Sequence, residues 1–165
     1  MAGSGRKRVL VLGGGFAGMF AAKELQRRVA DVELINEVNY FTFQPLLPEV
    51  AAGGISVRDA VAPLRRLLPG VRVRQAQIYD IDLGRRIVTI FQGLQRRYTE
   101  VGYDQLVIAL GQTVDLSRIP GLAAHAHTMK TLCDALTLRT QSSTSSSTPT
   151  SPRCRRSRRN CSPSR

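Results

Sequence analysis

The sequence predicts an α/β fold in which a parallel β-α-β sheet is joined to a small antiparallel β meander. The parallel sheet is predicted by an apolar stretch at residues 9–12 and an alternating strand pattern at residues 31–35, which flank a glycine-rich turn and a helix-compatible segment. The meander is predicted by strand-like residues at 86–91 and 97–101, which are separated by turn residues.

The turn after the first strand reads Gly-Gly-Gly-Phe-Ala-Gly at residues 13–18, which is the G-x-G-x-x-G spacing of a dinucleotide-binding turn. Gly13 permits the tight turn, Gly15 lets the backbone approach a pyrophosphate, and Gly18 lets the helix lie close to the strand. The helix predicted over residues 16–28 offers free N–H groups and a positive dipole end to the phosphates. Four apolar side chains of this helix are expected to pack on the sheet: Met19, Phe20, Ala22 and Leu25.

The second strand, residues 31–35, should run parallel to the first, with the helix as a right-handed crossover. An acid about 20 residues beyond the first glycine usually holds the adenosine ribose at this point. This chain has Asn36 there, followed by Glu37. Asn binds a ribose hydroxyl without charge assistance and does not repel a 2′-phosphate. The turn and strand therefore leave FAD, NAD and NADP open as ligands.

A proline- and aromatic-rich loop follows at residues 39–54, before a helix predicted near residues 60–68. With this loop the chain resembles the type II NADH dehydrogenases, which are single-subunit flavoprotein NADH:quinone oxidoreductases with two dinucleotide-binding domains. The resemblance covers residues 7–139. The matching segments are GGGFAG at 13–18, NYFTFQPLL at 39–47, APLRRLL at 62–68, YDID at 79–82, YDQLVIALG at 103–111, PGL at 120–122 and KTLCDAL at 130–136.

The resemblance implies a Rossmann-like FAD-binding domain, with NADH and quinone as the substrates of the full-length family. By analogy the glycine turn holds the pyrophosphate, Asn36 faces the adenosine ribose, and the backbone at residues 77–78 meets adenine. The cofactor-binding residues that the resemblance implies are Gly13, Gly15, Phe16, Ala17, Gly18, Asn36, Gln44, Pro45, Leu46, Gln77, Ile78, Ala109 and Gly111. The flavin performs the hydride transfer, so no side chain is predicted to act as a catalytic acid or base.

Three positions depart from the family pattern. Asn36 replaces the usual acid, Val38 stands where a basic residue is common, and Leu110 replaces the threonine of an Ala-Thr-Gly signature. Each departure is expected to weaken FAD binding. Further strands are predicted at residues 71–74 and at residues 106–110, the latter as a buried strand.

The charge of +12 is distributed unevenly along the chain. Residues 1–138 contain 17 Lys and Arg and all 12 Asp and Glu, whereas residues 139–165 contain seven arginines and no acid. The arginine pairs of the first segment lie at predicted turns and polar faces with few aromatic residues, which favours solvated surface over a nucleic-acid interface. The His and Cys residues lack metal-ligand spacing, so no metal site is predicted. The three Cys give no disulfide framework, which favours a cytoplasmic, reducing location, and no stretch has the apolar length expected of a transmembrane segment.

The amino-acid composition of the chain changes abruptly near residues 138–140. Thr131 and Asp134 have capping-box spacing and predict a helix through residue 138. Residues 140–165 contain 9 Ser, 4 Thr, 6 Arg and 3 Pro, without Val, Ile, Leu or Phe, which predicts disorder. The predicted organisation is an FAD/NAD(P)-binding domain over residues 6–138 and a disordered tail over residues 139–165.

The family continues with an NADH-binding domain and a membrane-attaching region, so one hypothesis is that the chain is a truncated or frame-shifted, incomplete flavoenzyme. Two other functions stay open. One is a non-catalytic flavin- or dinucleotide-binding fragment, and the other is a module whose basic tail binds nucleic acid electrostatically.

Overall fold

A four-stranded parallel sheet forms the centre of the protein, in a computed structural model that describes residues 7–28, 31–92 and 97–143. The elements in chain order are β1 (Arg8–Leu12), α1 (Phe16–Arg28), β2 (Asp31–Asn36), β3 (Tyr40–Thr42), α2 (Leu47–Ala52), β4 (Val61–Pro63), α3 (Leu64–Leu67), β5 (Arg72–Gln75), β6 (Gln77–Asp82), β7 (Ile87–Gln92), β8 (Arg97–Gly102), β9 (Gln105–Ile108), α4 (Leu122–His125) and α5 (Leu132–Ser143). Short 3-10 helices occupy Gln44–Leu46, Val57–Ala60 and Leu116–Arg118.

The predicted parallel β-α-β unit is confirmed. The sheet order is β5-β2-β1-β9, and every pair in it is parallel. Val9 of β1 stands opposite Val32 of β2 on one side and opposite Gln105 of β9 on the other. Helix α1 connects β1 to β2 over the predicted residues. The chain therefore leaves β1 toward one neighbour and returns much later to its other side.

The apolar side chains of the parallel sheet alternate between its two faces, and other elements cover each face. One face packs against the first and third helices through Val11, Met19, Ala22, Val32, Leu34, Leu64 and Leu68. The other face packs against the meander through Leu10, Leu12, Ile35, Val88, Ile90 and Val101. The result is a layer of helices, the parallel sheet and a layer of antiparallel strands.

The predicted antiparallel meander is also confirmed, as a three-stranded sheet with the order β6-β7-β8. Its ladder from β6 to β7 shifts register between Ile78 and Asp80, so Tyr79 lies in a β-bulge. Bulges redirect side chains. Tyr79 is correspondingly exposed and contacts the ring of Tyr98, with 4.9 Å between ring centroids.

The helix predicted near residues 60–68 is wrong in its first half. Residues 57–60 form a 3-10 helix, residues 61–63 pair with β3 as a strand, and the α-helix begins only at Leu64. Pro63 adopts an extended conformation at the position before the helix, with φ −60° and ψ 125°. The pairing of Phe41 with Ala62 across the two short strands therefore prevailed over the local helical pattern.

Two apolar residues expected in the interior are exposed. Phe20 lies outside the buried stripe of α1, which contains Gly18, Met19 and Ala22, and it is 58% exposed. The strand predicted as buried at residues 106–110 ends at Ile108, and that side chain is 56% exposed. Strand β9 lies at the edge of the described sheet, because its one neighbour there is β1.

Glu33 of β2 is fully buried, between the buried residues Val32 and Leu34. Its carboxylate oxygen Oε2 accepts a hydrogen bond from Arg8, and the two side-chain atoms are 2.7 Å apart. The Nε of Arg74 lies 2.7 Å from Oε1, as an ion pair without hydrogen-bond alignment. Cations from both neighbouring strands thus compensate a carboxylate that would otherwise be costly to bury.

The capping box that opens the last helix is confirmed. The N–H of Asp134 donates to the Thr131 hydroxyl (3.2 Å), and the N–H of Thr131 donates to the Asp134 carboxylate (2.9 Å). Helix α5 continues to Ser143, so residues 139–143 are helical, contrary to the predicted boundary at residue 138. The rest of the predicted tail, residues 144–165, lies outside the described residues.

Candidate functional site

Three of the four glycines in the turn are required by contacts inside the protein. A Cβ on Gly18 would collide with the carbonyl oxygen of Gly13, and a Cβ on Gly13 would collide with the carbonyl oxygen of Ala109. Gly13 also has a φ of +99°, which side chains rarely adopt. A Cβ on Gly14 would lie 2.8 Å from Leu64 Cδ1. These glycines let strand, turn and helix pack closely.

Gly15 differs from the other three, because a Cβ there would meet no atom within 4 Å. Its φ is not in the left-handed region either, so neither packing nor backbone conformation of the described protein requires glycine. The space that a side chain would enter lies at the start of α1. A glycine that the protein interior does not need is the residue expected where a ligand approaches the backbone.

The start of α1 leaves donors available beside Gly15. The first bond of the helix runs from the N–H of Met19 to the carbonyl of Gly15 (2.9 Å). The N–H groups of residues 16–18 donate to no acceptor within the described parts of the chain. Free N–H groups at a helix N-terminus, together with the helix dipole, form a site for phosphate or another anion.

Asn36, at the end of β2, fixes the position of the turn. Its Oδ1 accepts a hydrogen bond from the N–H of Gly14 (2.8 Å), and its Nδ2 donates to the carbonyl of Val38 (2.9 Å). A second clamp is the N–H of Gly13, which donates to the carbonyl of Ile35 (2.8 Å). The side chain that sequence analysis assigned to a ribose is therefore engaged with backbone on two sides.

A cleft of about 570 Å³ opens beside the turn, between the ends of β1 and β2 and the meander. Strands β2 and β9 lie on opposite sides of β1, so the chain order reverses at β1, and ligands of open α/β sheets bind at the carboxyl ends of strands at such a point. We call this volume the adenosine cleft, after the part of a cofactor that we propose it binds. Its lining residues are Gly13, Ile35, Asn36, Glu37, Ala76, Gln77, Ile78, Tyr79, Phe91, Tyr98 and Leu110.

The structure brings several predicted site residues together at this cleft and places others beyond it. Gly13, Asn36, Gln77 and Ile78 line it. Ala109 borders the turn, since its N–H donates to the carbonyl of Leu12 (2.8 Å) and its own carbonyl faces Gly13. The next described glycine, Gly111, has a φ of +73°.

The segment Gln44–Leu46 lies apart from the cleft lining, in a 3-10 helix. The side-chain Nε2 of Gln44 donates to the carbonyl of Lys130 (3.3 Å), which links this segment to the loop before α5. Phe16 belongs to the same region, because its ring makes edge contacts with the rings of Phe41 (4.9 Å) and Phe43 (5.6 Å). Ala17 follows in the first turn of α1.

The aromatic and aliphatic side chains of the loop differ in burial, and three of the four named next pack against the core. Phe41 and Leu47 are buried, Leu46 is half-buried, and Phe43 is 41% exposed. The exposed ring of Phe43 therefore lies at the surface, beside Phe16 at the start of α1.

Sequence reasoning missed four residues of the cleft that carry polar or aromatic chemistry. Glu37 follows Asn36 directly, and the signal was its position one residue past the end of the strand. Tyr79, Phe91 and Tyr98 form an aromatic wall, with 5.4 Å between the ring centroids of the last two. The register of the meander could have paired Phe91 with Tyr98, but the bulge at Tyr79 has no sequence signature.

Within the described ranges, no three His, Cys, Asp or Glu side chains are grouped as metal ligands. The same ranges contain no helix with the length and hydrophobicity to cross a bilayer.

Comparison with known proteins agrees with this geometry. The model of the family described as pyridine nucleotide-disulphide oxidoreductase matches residues 7–148. The chain belongs to this family. It is 40% identical over 139 residues to the type II NADH:quinone oxidoreductase NdhA of Mycobacterium tuberculosis, covering 82% of this chain and 29% of that protein. It is 32% identical over 145 residues to the mitochondrial external alternative NAD(P)H-ubiquinone oxidoreductase B1 of Solanum tuberosum, covering 82% and 25%.

This chain is also similar to the solved structure of NDH2 from Plasmodium falciparum in complex with NADH, with a TM-score of 0.74 and 28% identity. The match covers 82% of this chain and 28% of that one. The chain therefore spans between a quarter and three tenths of the length of these relatives.

Proposed function

We propose that this chain binds FAD, with the adenosine half in the adenosine cleft and the pyrophosphate at the glycine turn, as the cofactor domain of an NADH:quinone oxidoreductase. The observation that carries the proposal is the open space at Gly15 next to the free N–H groups of residues 16–18. A pyrophosphate needs both features, since it must approach the backbone closely and its charge must be compensated.

The size and lining of the cleft support the same ligand. Its volume of about 570 Å³ lies within the range of sites for small molecules and cofactors. Its walls combine residues 76–78 with Tyr79 and Tyr98, and the aromatic rings suit a flat, apolar base. The predicted roles of Gly13, Gln77 and Ile78 remain proposals that this arrangement supports.

Bound flavin would supply the redox chemistry by accepting a hydride and passing electrons on. The chain's own residues bind and orient the cofactor. The N–H groups at the start of α1 would hold phosphate oxygens, and Leu110 and Ile78 in the cleft wall would shield the base from water. The hydrogen bond from Gly14 to Asn36 keeps the turn in place.

NADH as electron donor and a quinone as acceptor are proposed from the functions that the relatives' names state. Because quinones are apolar, we propose that the active protein works at a membrane surface, as a peripheral protein in an otherwise cytoplasmic setting. These assignments concern the activity of the full-length relatives, which are three to four times as long as the part that this chain matches.

The proposal is tested by titrating FAD with the wild-type chain and with the Gly15→Val variant. Quenching of the flavin fluorescence reports binding. The variant should keep its fold, because a Cβ at this position meets no protein atom within 4 Å and the backbone is not in the left-handed region. Its FAD affinity should fall about tenfold or more, which corresponds to about 1.4 kcal/mol. Gly102→Val is the matched control, since Gly102 is exposed on β8 and a Cβ there would lie 4.0 Å from the nearest atom. Equal FAD affinity of Gly15→Val and the wild type would contradict the proposal.

A further inference from the structure

We infer that the ammonium group of Lys130, in the loop before α5, supplies the positive charge that compensates the pyrophosphate of the cofactor. This inference rests on the proposed function, because it assigns a further binding residue to the same site. Lys130 is distant from the glycine turn in sequence, so only the folded chain brings the two together.

The adenosine cleft itself offers the pyrophosphate no cation. Among the described residues that line the cleft, the one charged side chain is Glu37, and none is Lys or Arg. The free N–H groups at the start of α1 contribute the equivalent of about half a positive charge through the helix dipole. That is less than the charge of a pyrophosphate, so a full positive charge has to come from outside the cleft lining.

One contact links Lys130 to the end of β9. Its Nζ lies 4.0 Å from the point that a Cβ on Gly111 would occupy. Gly111 is two residues past Ala109, and the carbonyl oxygen of Ala109 faces Gly13 of the turn. The ammonium group therefore lies at the carboxyl end of the parallel sheet, where the chain that leaves β9 passes the glycine turn.

A second contact links Lys130 to the start of α1. Its carbonyl accepts the hydrogen bond from Nε2 of Gln44 (3.3 Å). The preceding residue, Phe43, has its ring centroid 5.6 Å from that of Phe16, the first residue of α1. Phe16 directly follows Gly15, so contacts from Lys130 lead to both ends of the glycine turn.

The side chain of Lys130 is free to bind a ligand, whereas its backbone is fixed. The N–H of Lys130 donates to the Asp134 carboxylate (3.0 Å), and Gln44 holds the carbonyl. The side chain is half-buried, and within the described parts of the chain its Nζ has no hydrogen bond or ion pair. A partly buried cation without a counterion is costly, and an anionic ligand removes that cost.

The test is a series of charge variants at this position, with FAD affinity measured by flavin fluorescence on the full 165-residue chain. Lys130→Met keeps the length of the side chain and removes the charge, so FAD binding should weaken about fivefold. Lys130→Arg should bind FAD within about twofold of the wild type, and Lys130→Glu should bind about tenfold or more weakly than Lys130→Met. This order follows charge, whereas a purely structural role would make the arginine variant as weak as the methionine variant.

Lys7→Met is the matched control and should leave FAD affinity unchanged. Lys7 is an exposed lysine directly before β1, at the opposite end of the sheet from the turn. Calorimetric titration with ADP, which contains the pyrophosphate without the flavin, should show the same fivefold loss for Lys130→Met.

Two outcomes would overturn the inference while FAD binding by the wild type stands. One is wild-type FAD or ADP affinity in Lys130→Met, and the other is a loss in Lys130→Arg equal to that in Lys130→Met. If the folded wild type binds neither FAD nor ADP, the proposed function fails and the inference fails with it.

Discussion

At the scale of single residues, the buried Glu33 makes the sharpest prediction about stability. Arg8→Met removes the cation that donates to its Oε2, leaving a fully buried carboxylate with fewer partners. We expect a loss of about 2 kcal/mol in the free energy of unfolding. Urea denaturation measures it, with Arg28→Met as control. That variant removes the exposed pair with Glu24 and should cost under about 1 kcal/mol. Equal losses for the two variants would show that the buried pair contributes no more to the free energy of unfolding than the exposed pair does.

Residue roles that depend on local conformation could be predicted from the sequence, and those that depend on distant partners could not. Gly13 and Gly18 have the close contacts that motif logic requires. Burial of Glu33 depends on Arg74, which lies 41 positions away in sequence and reaches the carboxylate only when β2 and β5 pair. The engagement of Asn36 with Gly14 likewise forms only when the turn closes on the end of β2.

At the scale of elements, helix α5 depends on its capping box. Burial tends to raise the pKa of Asp134, but the hydrogen bonds from Lys130 and Thr131 outweigh it and hold that pKa below its ordinary value of 3.8. A lowered pKa in the folded state means that the carboxylate stabilises the fold above pH 3.8, and that this stability is lost as the pH falls through the folded-state value.

Asp134→Asn should therefore lower the free energy of unfolding at pH 7 by about 1 kcal/mol, the usual contribution of a cap. The difference from the wild type should shrink as the pH is lowered below 3.8, since the native side chain also becomes neutral. Denaturation curves over this pH range measure it, and Asp80→Asn, at an exposed position on β6, is the control. A difference that does not change with pH would show that the charge is not what caps the helix.

Elements were predictable where local and tertiary preferences agree. Strand β1, the turn and α1 have matching periodicity, glycine placement and packing. Residues 60–63 show the opposite case, because their pattern suits a helix but their pairing with β3 makes them a strand. Strand β9 was expected to be buried from its composition, yet its position at the edge of the described sheet leaves Ile108 exposed.

At the scale of the whole molecule, the site arises where three layers meet. The parallel sheet supplies the turn and the end of β2, the first helix supplies its N-terminus, and the meander supplies the opposite wall with Tyr79 and Tyr98. The sequence could predict the turn because its residues are contiguous. The aromatic wall could not be predicted, because it requires the docking of β6 and β8 beside β2 and a bulge that redirects Tyr79.

The measurement that tests the central claim most directly is the stoichiometry of FAD binding to the wild-type chain. Protein is equilibrated with excess FAD and freed of unbound flavin, and flavin absorbance is compared with protein concentration. One FAD per chain is expected, since the chain contributes one glycine turn with an open Gly15. ADP-ribose in excess should displace it, because both would occupy the adenosine cleft. Folded protein that retains no flavin, or flavin that ADP-ribose cannot displace, would contradict the account.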